Sequence, residues 1–458
     1  MSRVNSPVGV KPWEANGDLA TRGNDWMLDR PIETADHAEV ASIAQKAWER
    51  QRVGLMERSP FLAKRMSDAG IDLSRLDLRN LHNAPFCSKT DLRDAQESHP
   101  PFGDHLAVSA EDIKLVYQTS GTSGKPCLLA LTKRDMETWW SIGTRTYRAA
   151  GILPHNTVLV SFGAGPFVAG HTHGSIDRNG AGRVPVPPGD TERVVAAAEA
   201  GLFDTMLGTP SFALHLASTF ASRGIEPRDL GITHVITGGE PGGGLPAVRT
   251  RIEEAFGCDV TEAMGLGDVS PSLFGECMAK GGMHFCGQGL VWPELIDLDK
   301  GSPIEIEAGA VGELVYTALE REAMPLVRFR SGDIVEIQGT TCECGRTGFR
   351  MRCVARVDDM IIVRGVNVYP SAVVDIVAEF KPHVTGRARL VVTGESVAID
   401  PPVLVEVEVP SGNSPPEAVA EAIAKTIRER LIFRARVVFI TDGDFGDAGY
   451  KTKLLIRK

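Results

Sequence analysis

Long apolar runs are missing from this 458-residue chain: no stretch approaches the ~18 consecutive apolar residues that a membrane span needs. Met1–Asn24 mixes proline, glycine and charge and holds no apolar core of signal-peptide length. These absences lead to the expectation of a cytoplasmic protein with no membrane partner. An excess of positive charge is missing too. Lys and Arg number 49 against 59 Asp and Glu, a formal charge of −10 and a pI of about 5.6. That balance argues against capture of nucleic acid or anionic lipid, and an anionic ligand would need positive groups concentrated locally. Internal repeats and low-complexity tracts are absent. Eight cysteines (87, 127, 258, 277, 286, 342, 344 and 353) are too few for a disulfide scaffold at this length. Four of them fall in two short clusters, which in a reducing compartment points to metal before disulfide.

What is present is an ordinary globular composition, 43% apolar and 24% charged, in a chain long enough for two or three domains. Residues 36–70 carry helical spacing at Val40, Ile43, Ala44, Ala47 and Trp48. From about 112 to 260, β-rich runs (Lys114–Gln118, Thr157–Phe162, His234–Ile236) alternate with helix-like stretches (Thr191–Ala200, Ser211–Arg223). The alternation predicts an α/β body with mixed or parallel sheet. Beyond 285 strands dominate, through Gly312–Thr317 and Asp333–Ile337. The last hundred residues read as a separate α+β unit, with strands Arg389–Val392, Val403–Val409 and Ala435–Ile440 and an amphipathic helix Glu417–Leu431. A boundary near Asp358 divides the chain into a body, 1–357, and a cap, 358–458.

Directly after the apolar run Ile113–Tyr117 comes Gln118-Thr-Ser-Gly-Thr-Ser-Gly-Lys-Pro126. Glycines expose backbone N–H groups, hydroxyls add donors and Lys125 adds charge, a combination suited to cradling polyphosphate. It is not a Walker loop, because Thr119 stands where the first glycine should be and Pro126 follows the lysine. The plain alternative, a polar turn between strands, does not account for this density of Thr, Ser and Gly.

Ser120–Pro126 resembles the phosphate loop of the adenylate-forming superfamily. Three further motifs follow in that superfamily's order: Gly238-Gly-Glu-Pro241, Arg328-Phe-Arg-Ser-Gly-Asp333, and Ala355-Arg-Val-Asp-Asp-Met-Ile-Ile-Val-Arg-Gly-Val-Asn-Val-Tyr-Pro370. The first and last of these resemble the phenylacetate–CoA ligase branch in particular. The resemblance implies a large adenylate-forming body with a small mobile cap. It also implies activation of an aromatic carboxylic acid by ATP and Mg²⁺ to an acyl-adenylate, then thioester formation with CoA. Thr119, Ser120, Gly121, Thr122, Ser123, Gly124 and Lys125 would hold phosphates. Gly239, Glu240 and Pro241 would border the adenine, Asp333 would accept from the ribose hydroxyls, and Arg356 would assist. Where relatives carry Tyr-Gly-x-x-Glu, this chain has Met264-Gly265-Leu266-Gly-Asp268. Asp268 keeps a hard oxygen for Mg²⁺, whereas Met264 offers sulfur and no aromatic stacking.

The resemblance makes Lys451 the catalytic lysine that stabilises charge on the carboxylate and α-phosphate, with Lys453 the competing choice. Asp358 would be the hinge, and Arg364 and Gly365 would line the CoA tunnel. Phe167, Ala169, Gly170 and His171 would form the acyl pocket, with His173 as an alternative to His171 and Gly208–Phe212 as a second wall. That segment also reads simply as a helix start, Thr209 as N-cap and Pro210 as first residue. Cys277, His284, Cys342 and Cys344 make a Cys₃His set suited to a closed structural Zn²⁺ site. Cys286 or Cys353 could replace a member, and buried free thiols are the bland alternative. Relatives are often dimers, so a homodimer is expected by resemblance, though no apolar stripe marks an interface. Two rival functions are transfer of the acyl or AMP group to an acceptor other than CoA (carrier protein, amine, cofactor hydroxyl) and a catalytically dead nucleotide-binding protein.

Overall fold

The computed structural model describes residues 27, 29–119, 127–163, 165–186, 189–240, 242–357, 361–363, 366–394, 398–410, 415–441 and 454–458. Strands β1 (Leu115–Thr119) and β2 (Cys127–Leu131) form an antiparallel hairpin. The main sheet has two halves. Its parallel half contains β3 (Thr157–Val160), β4 (Gly182–Pro185), β5 (Thr205–Gly208), β6 (His234–Thr237) and β7 (Asp259–Leu266). Its antiparallel half contains β8 (Ser270–Glu276), β9 (Met283–Phe285), β10 (Val291–Ile296), β11 (Pro303–Ile304), β12 (Val311–Ala318), β13 (Phe329–Gly339) and β14 (Arg350–Arg356). The order across the twelve strands is β11-β10-β12-β13-β14-β9-β8-β7-β6-β5-β3-β4. Strands β5 and β6 are buried along their full length, as expected of parallel strands covered on both faces.

The covering helices start where their sequences say they should. Thr132 and Asp135 form a capping box at the head of helix Lys133–Ala149. That helix lies so close on β8 that a Cβ on Gly275 would sit 2.2 Å from the Thr146 carbonyl oxygen. The expected 36–70 helices are His37–Arg52 and Pro60–Asp68, separated by the short turn Leu55–Arg58. Trp48 is fully buried between them and donates its indole N–H to the Leu76 carbonyl at 2.8 Å. Among the described residues, no helix is long and apolar enough to cross a membrane.

The C-terminal residues enclose their own core. Strands β15 (Ile361–Val363), β16 (Val366–Val368) and β18 (Ala398–Ile399) make one small sheet. Strands β17 (Ala388–Val392), β19 (Val403–Val409), β20 (Ala435–Thr441) and β21 (Leu455–Arg457) make another. Ile423 and Ile427 of helix Glu417–Leu431 are buried in a cluster with Leu390, Val405 and Val407.

One side chain ties the N-terminal layer to the main sheet. Arg328 has a left-handed backbone (φ 50°) and is buried. Its guanidinium donates to Glu294 at 3.2 Å and to the carbonyls of His82 and Ala84 at 2.8 and 2.7 Å, and stacks on Phe86. Truncating one partner of a buried pair strands the other charge, so Arg328→Ala should cost about 3–5 kcal/mol. Arg79→Ala, at a side chain 91% exposed whose partner Asp77 is itself partly exposed, should cost much less. Paired urea melts of the two variants check this; equal midpoints would show that Arg328 is not the tie.

Candidate active site

In the parallel half, β3 lies between β4 and β5, so successive connections leave it in opposite directions. The crevice outside the strand ends at such a reversal is where α/β sheets bind ligands. Three loops meet there. Phe162 follows β3, Thr209 follows β5, and Gly238-Gly239-Glu240 follows β6. A Cβ on Gly238 would lie 2.6 Å from the Ala263 carbonyl oxygen, and Gly239 has φ +82°. The Phe162 ring and the Thr209 methyl lie 3.4–3.6 Å from where a Gly239 Cβ would project. Thr209 caps helix Pro210–Ser222 by accepting from the Phe212 N–H, and Pro210 opens the helix. Glu240 is buried and accepts from the Ser211 N–H at 2.7 Å, so its charge rests on that helix's positive end. Pro241 lies outside the described residues.

The β7 end joins this rim. Met264 packs on the main core, and a Cβ on Gly265 would lie 2.1 Å from the Pro271 carbonyl oxygen. Gly267 approaches Thr119 and Val168, at 3.2 and 3.0 Å from its projected Cβ. Thr119 ends β1 and pairs with Cys127, so the two residues bracketing 120–126 stand side by side. Residues Ser120, Gly121, Thr122, Ser123, Gly124 and Lys125 themselves lie outside the described residues. So do Asp358, Arg364, Gly365, Lys451 and Lys453.

Asp268 is buried, accepts from the Lys89 ammonium at 3.1 Å, and leaves Oδ1 with no hydrogen-bond partner among the described residues. A buried acceptor without a donor suits a cation or an ordered water. Lys89 was not among the sequence candidates. It opens helix Lys89–Ser98, 179 residues upstream, and no local pattern links it to Asp268. Asp333 is buried opposite Arg356 in the β13–β14 ladder and accepts its guanidinium at 2.5 Å. The sequence reading had already grouped these two.

An acidic pair was missed. Glu262 and Glu276 come side by side because Ala263 pairs with Gly275 in the antiparallel β7–β8 ladder. Arg249 binds Glu276 and donates to the Gly243 carbonyl at 3.1 Å. Glu262 Oε2 lies against Gly244, 2.4 Å from where a Cβ there would project, while burial and the neighbouring Glu276 carboxylate push its carboxyl up to about 7. Burial and nearby Asp333 and Glu262 raise the Cys353 thiol well above the ordinary range.

Of the pocket candidates, Phe167 is half exposed and Ala169 packs behind Phe162. Gly170 lies in the short helix Val168–His171. His171 is buried, stacks on Trp140 and meets Tyr117 and Trp139 edge-on. Its Nε2 lies 3.2 Å from the Met136 carbonyl, and burial lowers its pKa to about 4, so it is a neutral ring. His173 instead reaches the Phe162 carbonyl at 2.9 Å.

Away from the rim, Cys277, His284, Cys342 and Cys344 converge, with ligand atoms all within 4.8 Å of one another. The Cys277 and Cys342 sulfurs are 3.7 Å apart, and the Cys344 sulfur is 3.4 Å from His284 Nε2. His284 Nδ1 is 3.0 Å from the Gly348 carbonyl. An N–H donated there leaves Nε2 as the ligand atom. Four soft donors so arranged could hold a metal ion. Cys286 and Cys353 are not in the set.

No family model matches the chain. A phenylacetate–CoA ligase of Thermus thermophilus is 32% identical over 437 residues, covering 91% of this chain and 96% of that protein. Among solved structures, 2-hydroxyisobutyryl-CoA ligase in its post-adenylation state with a bound acyl-AMP superposes with a TM-score of 0.85 at 26% identity. That match covers 95% of this chain and 93% of the other. The same ligase in its thioesterification state, with CoA, gives a TM-score of 0.67 at 27% identity, over 93% of this chain and 92% of the other.

The Glu262 carboxyl has a pH consequence. Its folded value near 7 exceeds the unfolded value of about 4.3, so the folded state holds the extra proton. Stability from this group is complete below about pH 4.3 and is lost as pH rises through 7. Relative to Glu262→Gln, the unsubstituted protein should therefore lose melting temperature between pH 5 and 8. Parallel melting curves across that range would contradict the assignment.

Proposed function

Since this chain belongs to the phenylacetate–CoA ligase family of AMP-forming acid–CoA ligases, we propose that its acid substrate is aromatic or arylacetic and that the residues at the strand-end rim carry the reaction. The enzyme forms an acyl-adenylate from the acid and ATP, then the CoA thioester. In the first step a carboxylate oxygen bonds to the α-phosphorus as the α–β phosphoanhydride bond breaks and pyrophosphate leaves. In the second the CoA sulfur bonds to the acyl carbon, losing its proton, and AMP leaves. Both steps bring anions together, so positioning and charge neutralisation are the protein's task.

The observation that carries the residue assignments is the meeting of the β3, β5, β6 and β7 ends with Thr119 in one crevice. Gly239–Glu240 would border the adenine, with Pro241 beside them. Asp333 would accept from ribose hydroxyls, oriented by Arg356. Thr119 would continue into the 120–125 phosphate cradle, ending on Lys125. The Asp268 Oδ1 fits a Mg²⁺ ligand, and Mg²⁺ when bound would offset phosphate charge. Met264, Gly265 and Leu266 would line the nucleotide side and Phe167, Ala169, Gly170 and His171 the acyl side. His171, buried and stacked on Trp140, would back that side as a neutral ring, which favours an apolar acyl group.

We assign Lys451 to the adenylation step and Asp358, Arg364 and Gly365 to a hinge and CoA tunnel used afterwards. The better superposition on a post-adenylation structure than on a thioesterification structure supports a cap with two working positions. Incubation with ATP, Mg²⁺ and aromatic acids should give AMP release that depends on CoA; pyrophosphate exchange that CoA cannot turn over would identify a different acceptor. Lys451→Ala should abolish adenylation but spare thioester formation from supplied acyl-adenylate, and Gly365→Ile should do the reverse. Loss of the same half-reaction in both would end the two-position reading.

The Cys277–His284–Cys342–Cys344 set fits zinc. With Zn–S bonds of about 2.3 Å, tetrahedral ligand sulfurs stand about 3.8 Å apart, close to the 3.7 Å between Cys277 and Cys342. All four positions are protein ligands, so the ion would be structural and would take no part in the reaction. Purified protein should carry one equivalent of zinc; fewer than half an equivalent in chelator-free preparations would sink the assignment.

A further inference from the structure

The loop bearing Glu240 leaves β6 at Gly238 and returns through Gly242, Gly243 and Gly244 to helix Pro246–Phe256. Its outgoing leg is held by the Glu240–Ser211 contact. The returning leg has two different restraints. Arg249 donates to the Gly243 carbonyl, and the Glu262 carboxyl packs against Gly244. Both glycines fit without room to spare. A Cβ on Gly243 would lie 1.8 Å from Thr237 Oγ1, and one on Gly244 would lie 2.4 Å from Glu262 Oε2. The carboxylate is thus pressed directly against the returning backbone. Around it stand Glu276 on β8, Arg249 on the helix, and Arg352 and Cys353 on β14. Arg249 binds Glu276 and leaves Glu262 to the loop.

We propose that Glu262 is a positioning residue for nucleotide binding, whose carboxylate fixes the returning leg of the 238–244 loop and so sets where Gly239 and Glu240 meet the adenine. The inference rests on the adenylation reading for the loop's ligand, but not on the identity of the acid. A carboxyl packed against the loop backbone acts on the loop alone, so its loss should weaken ATP binding while leaving the acid pocket and the chemical step in place.

The test is steady-state kinetics combined with calorimetric titration of a non-hydrolysable ATP analogue. Glu262→Ala, which removes the carboxyl, should raise the KM for ATP and the analogue Kd about tenfold or more. The kcat at saturating ATP and the KM for the acid should stay within about twofold. Glu262→Gln keeps an acceptor oxygen and should restore most of the ATP affinity. Gly244→Ala attacks the same contact from the other side and should reproduce the defect. If the contact is shared, the double variant with Glu262→Ala should be no worse than the worse single one. Unchanged analogue affinity in Glu262→Ala, a loss spread equally over kcat and both KM values, or full additivity with Gly244→Ala would each overturn the proposal. Should Glu262→Ala not fold, Gly244→Ala alone decides by the same ATP-specific criterion. A parent protein that binds the analogue but turns over no acid would refute the adenylation reading while leaving the titration to judge Glu262.

Discussion

Strand β7 is hydrogen-bonded in parallel to β6 on one side and antiparallel to β8 on the other, and the placement of the candidate site follows from that junction. The parallel pairing brings the β7 end level with the β6 end, which puts Met264–Asp268 beside Gly238–Glu240. The antiparallel pairing lays β8 back along β7, which sets Glu262 opposite Glu276 and leads on to the β13–β14 ladder carrying Asp333 and Arg356. A one-residue slip in the β7–β8 register would turn Glu262 to the other face and destroy the acidic pair. Close contacts make such a slip costly, since Gly275 sits under the Thr146 carbonyl and Gly265 against Pro271.

Electrostatically, the rim is built from carboxylates, each with a local partner. Glu240 has the Ser211 N–H, Asp268 has Lys89, Asp333 has Arg356, and Glu262 lies against Gly244. An acidic chain of net charge −10 that takes a polyanion must keep those charges occupied and bring cations in separately. Lys125 and Lys451 are the cations proposed for that task. Lys89 has a double position in this scheme, because it neutralises Asp268 in the structure described and would have to share it with a metal ion.

Much of this was legible from the residues. Helix Glu417–Leu431 appears with the bounds its periodicity predicted, and Val403–Val409 is a strand over the same span. Thr209 and Pro210 do open a helix, and that does not remove them from the rim, since a helix start is what holds Glu240. The Cys₃His set converges as its softness and clustering suggested. What could not be read were pairings set only by the fold. Lys89 meets Asp268 across 179 residues, and Glu262 meets Glu276 through a ladder register that strand propensity does not specify. Nor does the sequence distinguish a histidine on a pocket wall from one enclosed by three aromatic rings, as His171 is, because the rings come from β1 and from helix Lys133–Ala149.

The cysteine–histidine cluster bears on the same frame at a distance. Cys277 follows β8, His284 lies in β9, and Cys342 and Cys344 lie between β13 and β14. An ion held there would pin the β8–β9 turn to the segment leading into β14, the strand that ends at Arg356. The cluster is also tied outward. Arg346 approaches the Cys344 sulfur at 3.8 Å and donates to the buried Glu33 carboxylate at 2.8 Å, which anchors the short helix Arg30–Glu33. Burial of that ion pair is tolerable only while both charges keep their partners. Loss of the cluster's geometry would therefore be felt first at the N-terminal helix and at β14, and only through β14 at the pair of Asp333 and Arg356. A closed four-ligand site placed there would act as a brace on the side of the rim proposed to hold the nucleotide.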